Sequence, residues 1–326
     1  MNILVTGGTG FTGGHLCQRL VDQGHHVRTL ARRGSAVEAL QKLGVDVMPG
    51  DLCDPTSIAT AVHGVDLVYH IAALYRQQKE APRQFWRINA EAVEHLLAAS
   101  VQKGVRRFVH CSTVGVHGHI SQPPATEDTP FGAGDSYQES KLAGELIAQR
   151  YMREGRIGVT IFRPAAIYGP RDLRFLKLFR AIKKGRFVML GSGEVTYHLV
   201  YIDDLIDGIV RCGTEEQASG QIYILGGESY VTLNQLVAMI AEELQVPKPH
   251  MRMPLWPVYG LGYICELLCQ PFGIEPPLYR RRIDFFKKSR AFDISKAKQE
   301  LGFRPKMSLK EGLHRTAQWY CDNGYL

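Results

Sequence analysis

Asn2-Ile3-Leu4-Val5-Thr6-Gly7-Gly8-Thr9-Gly10-Phe11-Thr12-Gly13 decides the fold of this chain. Asn2 to Val5 is the short apolar run a buried strand carries. Gly7, Gly10 and Gly13 follow at once, and then Leu16, Leu20 and Val21 recur at helical spacing. Strand, glycine turn and helix in this order are the setting of a dinucleotide fingerprint, here spaced GxxGxxG. The glycines let the backbone approach a pyrophosphate, which sits at the positive end of the helix.

Downstream, YQESK places Tyr137 and Lys141 four residues apart. On a helix that spacing puts both on one face, the ammonium close to the phenol. A free phenol, with a pKa of about 10, is a poor base at neutral pH; a fixed cation favours the phenolate. Helices also carry this pair by chance, so it gains meaning only beside the glycine loop.

Outward from these two points, strand and helix patterns alternate through the first half, which predicts a parallel sheet covered on both faces. Further strands are expected at His26–Leu30, Val45–Met48, Leu67–Ile71, Arg107–Cys111 and Gly158–Phe162. Residues 171 to 194 read as an insertion, after which Thr196–Ile202 and Gln221–Leu225 are expected to return to the sheet. From about Gly227 a smaller helical part begins. Thr232 with Gln235, and Ser308 with Glu311, predict capping boxes there. The expected division is a dinucleotide-binding domain over 1–170, with 195–226 returning to its sheet, and a substrate-binding domain over 171–326.

TGGTGFTG, Asp51-Leu52, HIAA at 70–73, YQESK, RPAAIYGP and YIDDL together resemble the extended short-chain dehydrogenase/reductase superfamily, in its order and about its spacing over residues 1 to about 205. The resemblance implies an α/β fold: a Rossmann-type doubly wound parallel sheet with a smaller, mainly helical C-terminal substrate domain. It also implies an NAD(P)-dependent oxidoreductase and a small-molecule substrate in the cleft between the two parts. The implied cofactor contacts are Gly7, Gly10, Phe11, Thr12, Gly13, the adenine pair Asp51 and Leu52, Ala72, Ala73, Tyr137, Lys141, Pro164 and Ile167. NAD-using relatives often carry Asp where this chain has Ala31. Arg32, Arg33 and Ser35 follow, and guanidinium groups suit a 2′-phosphate, so NADP is favoured over NAD. An exposed basic turn would look the same.

CSTVGVHG resembles the segment that holds the third catalytic hydroxyl. The matching position is Thr113, with Ser112 before it; as an alternative, both hydroxyls cap the strand end. The implied roles are Tyr137 as acid/base, Lys141 as pKa modifier and ribose anchor, and Thr113 as substrate-orienting hydroxyl. Asn89 is expected to make a structural bond to a neighbouring strand. Two groups of relatives compete for the substrate. Nucleotide-sugar 4-epimerases and dehydratases often carry Asn at the position of Ala166 and Arg-Asp at Tyr197-His198. These departures weaken that reading, unless Arg280, Arg281 or Arg282 substitutes. VYIDDL and FDISKAKQELGFRP are similar to the branch of 3β-hydroxysteroid and sterol-4-carboxylate dehydrogenases, with dihydroflavonol reductases nearby, although related endings also occur in sugar enzymes. For them the stretch at 253–273, rich in Trp256, Tyr259, Leu261, Tyr263, Ile264, Leu267 and Leu268, would form an apolar wall for a polycyclic alcohol; an ordinary core helix is the alternative.

Composition narrows the classes. The 326 residues are 45% hydrophobic and 22% charged, with formal charge +7 and seven cysteines but no CxxC. An odd cysteine count fits a reducing, cytoplasmic compartment, and no signal peptide is expected before the first strand. Cys265 and Cys269 are expected to pack rather than to bind metal. Basic residues spread along the chain, without zinc-finger or aromatic-basic motifs, argue against nucleic acid. RFLKLFRAIKKGR at 174–186 and RRRIDFFKKSR at 280–290 suit contact with anionic lipid, or a solvated basic face. The expected assembly, from the resemblance, is a homodimer.

Overall fold

The structure is a computed structural model that describes residues 1–75, 82–269 and 280–326. The chain opens with β1 (Asn2–Thr6), α1 (Phe11–Asp22), β2 (His26–Ala31), α2 (Glu38–Lys42), β3 (Asp46–Pro49), α3 (Pro55–Ala61) and β4 (Leu67–His70). It continues through α4 (Pro82–Trp86), α5 (Ala92–Gln102), β5 (Arg107–Cys111), α6 (Ser136–Glu154), β6 (Gly158–Pro164), β7 (Ala166–Tyr168), α7 (Leu176–Lys183) and β8 (Met189–Leu190). Then come β9 (Thr196–Tyr201), α8 (Ile202–Thr214), β10 (Ile222–Leu225), β11 (Tyr230–Thr232), α9 (Leu233–Glu243) and β12 (Arg252–Met253). The helices α10 (Leu255–Cys269), α11 (Arg280–Lys287), α12 (Ser295–Glu300) and α13 (Leu309–Asp322) end the chain.

Seven parallel strands form the main sheet in the order β10-β6-β5-β4-β1-β2-β3. Alternate side chains feed two cores, as a doubly covered sheet requires. Ile3, Val5, Tyr69 and Val109 face one side; Leu4, Val68, Phe108 and Ile161 face the other. Strand order reverses between β1 and β4, so a crevice opens at their carboxyl ends.

Ile222–Leu225 joins the sheet as expected, but Thr196–Tyr201 does not. β6 has β5 on one side and β10 on the other, and β9 extends neither outer strand of the sheet. β9 instead pairs with β7 and β11 in a separate three-stranded sheet. The stretch read as an insertion carries α7 and β8. The Thr232 capping box is complete. At Ser308 only half of it forms: the Oγ accepts from the Glu311 N–H, while the Glu311 carboxylate accepts from Arg315 Nε at 2.7 Å.

Asn89 lies in a single π-helical turn, Arg87–Glu91, between α4 and α5. Its amide binds both the N–H and the C=O of Leu74, at 2.8 and 3.2 Å, and Ser140 Oγ at 3.0 Å. It thus ties the segment after β4 to α6, a structural role. Among the described residues no helix is long and apolar enough to cross a membrane, and no cluster suits a metal ion.

Candidate active site

The glycine loop folds flat on the sheet. A Cβ on Gly7 (φ +76°) would meet Ala72 Cα at 2.8 Å, and one on Gly13 would meet the Gly7 carbonyl oxygen at 2.1 Å. Helix α1 starts at Gly10, which has no side chain to cap it, and its first turn holds no acid. Its N–H groups and positive dipole end therefore remain available to an anion. Behind the loop, Thr6 Oγ1 accepts from the Ala72 N–H at 3.2 Å and bonds His70 Nδ1 at 2.8 Å, fixing the β1 and β4 ends together.

A cleft of about 580 Å³ runs from this loop across the carboxyl ends of the strands. It is lined by Gly7, Gly10, Phe11, Thr12, Gly13, Arg32, Asp51, Leu52, Ala72, Ala73, Thr113, Tyr137, Lys141, Pro164 and Ile167. The residues named from sequence thus converge on one crevice, with one exception. Arg33 is exposed and is not part of the lining, because the turn after β2 directs only Arg32 and Ser35 inward. Ala31, the last residue of β2, is buried and apolar, so no carboxylate stands at that strand end. This cradle fits a dinucleotide.

At the other end of the cleft lies α6. Asp135 caps it by accepting from the Gln138 N–H at 2.9 Å, which puts Tyr137 in the first turn and Lys141 one turn on. Both are buried. Lys141 Nζ donates to the Cys111 carbonyl at 2.6 Å. Burial lowers the Lys141 pKa below the ordinary lysine value; Cys111 and Glu145 oppose that shift. The Tyr137 ring is held edge-on by Tyr75, centroids 5.4 Å apart, and by Phe85 at 6.4 Å.

The two hydroxyls at the end of β5 divide. Thr113 Oγ1 accepts from the Gly115 N–H at 3.1 Å, capping a short 3₁₀ turn, and lines the cleft. Ser112 Oγ donates instead to the buried Glu145 carboxylate. Glu145 is paired with Arg163, both side chains 1% exposed or less; Nη2 reaches Oε1 at 2.5 Å, and Arg163 Nη1 also donates to the Glu127 carbonyl at 2.7 Å. Through Ser112 this pair anchors the end of β5. Sequence reading missed it, although Glu145 continues the i, i+4 series of Tyr137 and Lys141.

The cleft is also lined by Tyr75, Arg174, Tyr197, His198, Arg290 and Phe292. Arg290 lies 5.8 Å from the Tyr197 ring centroid and pairs with no carboxylate among the described residues. Arg174 is held by Asp172 at 2.6 Å and lies 5.4 Å from the Phe11 ring centroid. His198 Nε2 bonds the Gly227 carbonyl at 2.8 Å. The side chains of Arg280, Arg281 and Arg282 lie outside the described residues, as do residues 270–273 of the apolar stretch. The described part of that stretch is not a wall of the cleft. Trp256, Leu261, Tyr263, Ile264, Leu267 and Leu268 are exposed and none lines it, because α10 packs through its opposite side, where Val258 is buried. Cys265 and Cys269 are half-buried. In YIDDL the buried Asp204 accepts from the Lys306 and Met307 N–H groups, both at 3.0 Å, and so anchors the C-terminal segment.

Comparison with known proteins agrees with this geometry. The profile of the "NAD dependent epimerase/dehydratase family" matches residues 3–226. Sterol demethylase protein B of Methylococcus capsulatus is 29% identical, covering 100% of both chains. The crystal structure of gox2253 superposes with a TM-score of 0.85 at 30% identity, covering 99% of each chain. UDP-glucuronic acid 4-epimerase from Bacillus cereus in complex with NAD does so with a TM-score of 0.78 at 25% identity, covering 100% of each. With its profile match and glycine-bordered cleft, the chain belongs to the NAD dependent epimerase/dehydratase family, the extended short-chain dehydrogenase/reductase enzymes.

Proposed function

We propose that this enzyme interconverts a secondary alcohol and a ketone on a hydrophobic cyclic substrate, with NADP preferred over NAD. One observation carries the reading: Thr113, Tyr137 and Lys141 gather at one end of the cleft whose other end is lined by Arg32 and Ser35. A bound nicotinamide supplies the hydride acceptor for oxidation, or the donor for reduction. The chain's own residues handle the proton. In oxidation the Tyr137 oxygen takes the hydroxyl proton as the carbinol C–H bond breaks; in reduction it returns it. The Lys141 cation favours the phenolate and is positioned by the Cys111 carbonyl. Thr113 orients the substrate oxygen, and Ile88, Ile167 and Phe292 offer apolar contact. The sterol demethylase relative supports an apolar cyclic substrate.

A second reading, a nucleotide-sugar 4-epimerase, is favoured by Arg290. It brings a cation beside Tyr197 and His198, where the residue pair itself offers none to a diphosphate. Turnover of the purified protein with 3-hydroxysteroids, flavanonols and nucleotide sugars, each with both cofactors, tests the two. Net accumulation of NADPH or NADP with an apolar cyclic substrate supports the first. Sugar interconversion without net cofactor turnover replaces it with the second. The homodimer belongs to the same proposal, and light scattering tests it.

A further inference from the structure

We propose that α10 is a lipid-facing helix that rests in the plane of an anionic bilayer surface. At the helical repeat, Trp256, Tyr263, Ile264, Leu267 and Leu268 fall on one broad side, while Val258 and Gly262 fall on the other. The two sides differ in burial: Val258 and Gly262 are buried, whereas Trp256 is 79% and Leu268 64% exposed. Fifteen residues are too few to span a bilayer. A contiguous apolar face of this kind on the surface marks an interaction site. Tryptophan and tyrosine beside aliphatic side chains suit the boundary between headgroups and acyl chains.

The charge around the face selects the occupant. Lys287 Nζ lies 5.0 Å from the Tyr259 ring centroid, joining the basic end of α11 to α10. Phe187 and Phe286, centroids 6.1 Å apart, bring the end of α7 to the same place. Lys183, Lys184 and Arg186 are exposed there and pair with no carboxylate among the described residues. A second copy docked by two-fold symmetry would press this basic rim near itself. Lipid phosphates neutralise it, each cation strengthening attachment to an anionic surface. None of these residues lines the cleft, so the inference stands apart from the substrate assignment.

The test is flotation of the full-length protein with vesicles of phosphatidylcholine, with and without phosphatidylglycerol. Wild type is expected to float with the anionic vesicles, with a salt-sensitive affinity. Its tryptophan emission should shift to the blue, and Trp256→Phe should lose that shift. A Leu267→Ser, Leu268→Ser variant, checked for folding by circular dichroism, should partition about tenfold or more weakly. Lys183→Gln with Lys184→Gln should weaken binding only to the anionic vesicles. Wild type that stays in solution, or a serine variant that floats equally well, overturns the proposal. So does a dimer that the serine variant disrupts in protein that binds no vesicle, which assigns the face to a second copy.

Discussion

Lys141 Nζ donates to the Cys111 carbonyl oxygen at 2.6 Å, joining the first turns of α6 to the end of β5. One contact therefore positions the cation and the turn that carries Thr113. Lys141→Met is expected to lower turnover by a factor of about 10²–10⁴, the range for a displaced acid/base system. Because burial lowers the lysine pKa, wild-type activity should fall on the alkaline side below the ordinary lysine value of 10.5. A pH–rate profile checks this: an alkaline limb at or above 10.5 would contradict it.

Tyr137→Phe keeps the ring between Tyr75 and Phe85 and removes only the oxygen. Turnover should drop by about 10²–10⁴, with cofactor affinity by calorimetry nearly unchanged. A variant with substantial turnover would require another base.

Arg32→Ala should weaken NADP binding by tenfold or more, about 1.4 kcal/mol, and leave NAD binding nearly unaltered. Arg33→Ala should do little to either, since Arg33 is outside the cleft lining. Equal losses for both cofactors on Arg32→Ala would remove the basis for an NADP preference.

Glu145→Gln breaks a fully buried ion pair and leaves the Arg163 guanidinium uncompensated. Denaturant unfolding should show a loss of about 3–5 kcal/mol. Exchange of an exposed pair, such as Lys310 with Glu242, should change stability far less, because solvent screens it. Similar small effects at both sites would mean that Arg163 finds another partner.

His70 and His110 stack beneath the cleft with centroids 5.5 Å apart, both fully buried. Burial lowers His70 to about 3 and His110 well below 6.5, with the Lys141 charge adding to each shift. The unfolded chain takes up protons below 6.5 while the folded one does not, so stability is intact above 6.5 and declines as the pH falls below it. Neither His110 nitrogen has a hydrogen-bond partner among the described residues. His110→Leu thus removes proton linkage without removing a hydrogen bond. It should recover part of the stability lost as the pH falls below 6.5. Parallel stability–pH curves for the two proteins would refute this.

The glycine loop and the Tyr137–Lys141 pair were legible in the sequence because their chemistry is local: spacing alone places them. Thr113 needed a family resemblance, since Ser112 beside it carries the same hydroxyl and only packing separates the two. Tyr75, Arg290 and Phe292 reach the cleft through topology, from segments whose sequence gives no sign of it. TYHLVY at 196–201 reads correctly as a strand, yet an apolar run does not name its partner. On α10, apolar residues occur on both sides of the helix, so periodicity cannot say which side is covered.

The outermost strand on one flank of the main sheet, β10, is supplied by residues 222–225, after the chain has built α7, β8, β9 and α8. A fragment ending near residue 170 would therefore leave the β6 backbone unpaired along Ile161–Pro164, a ready template for another strand. Excising the nucleotide-holding half would yield an aggregating piece, so domain transplants from this scaffold must carry the chain through Leu225.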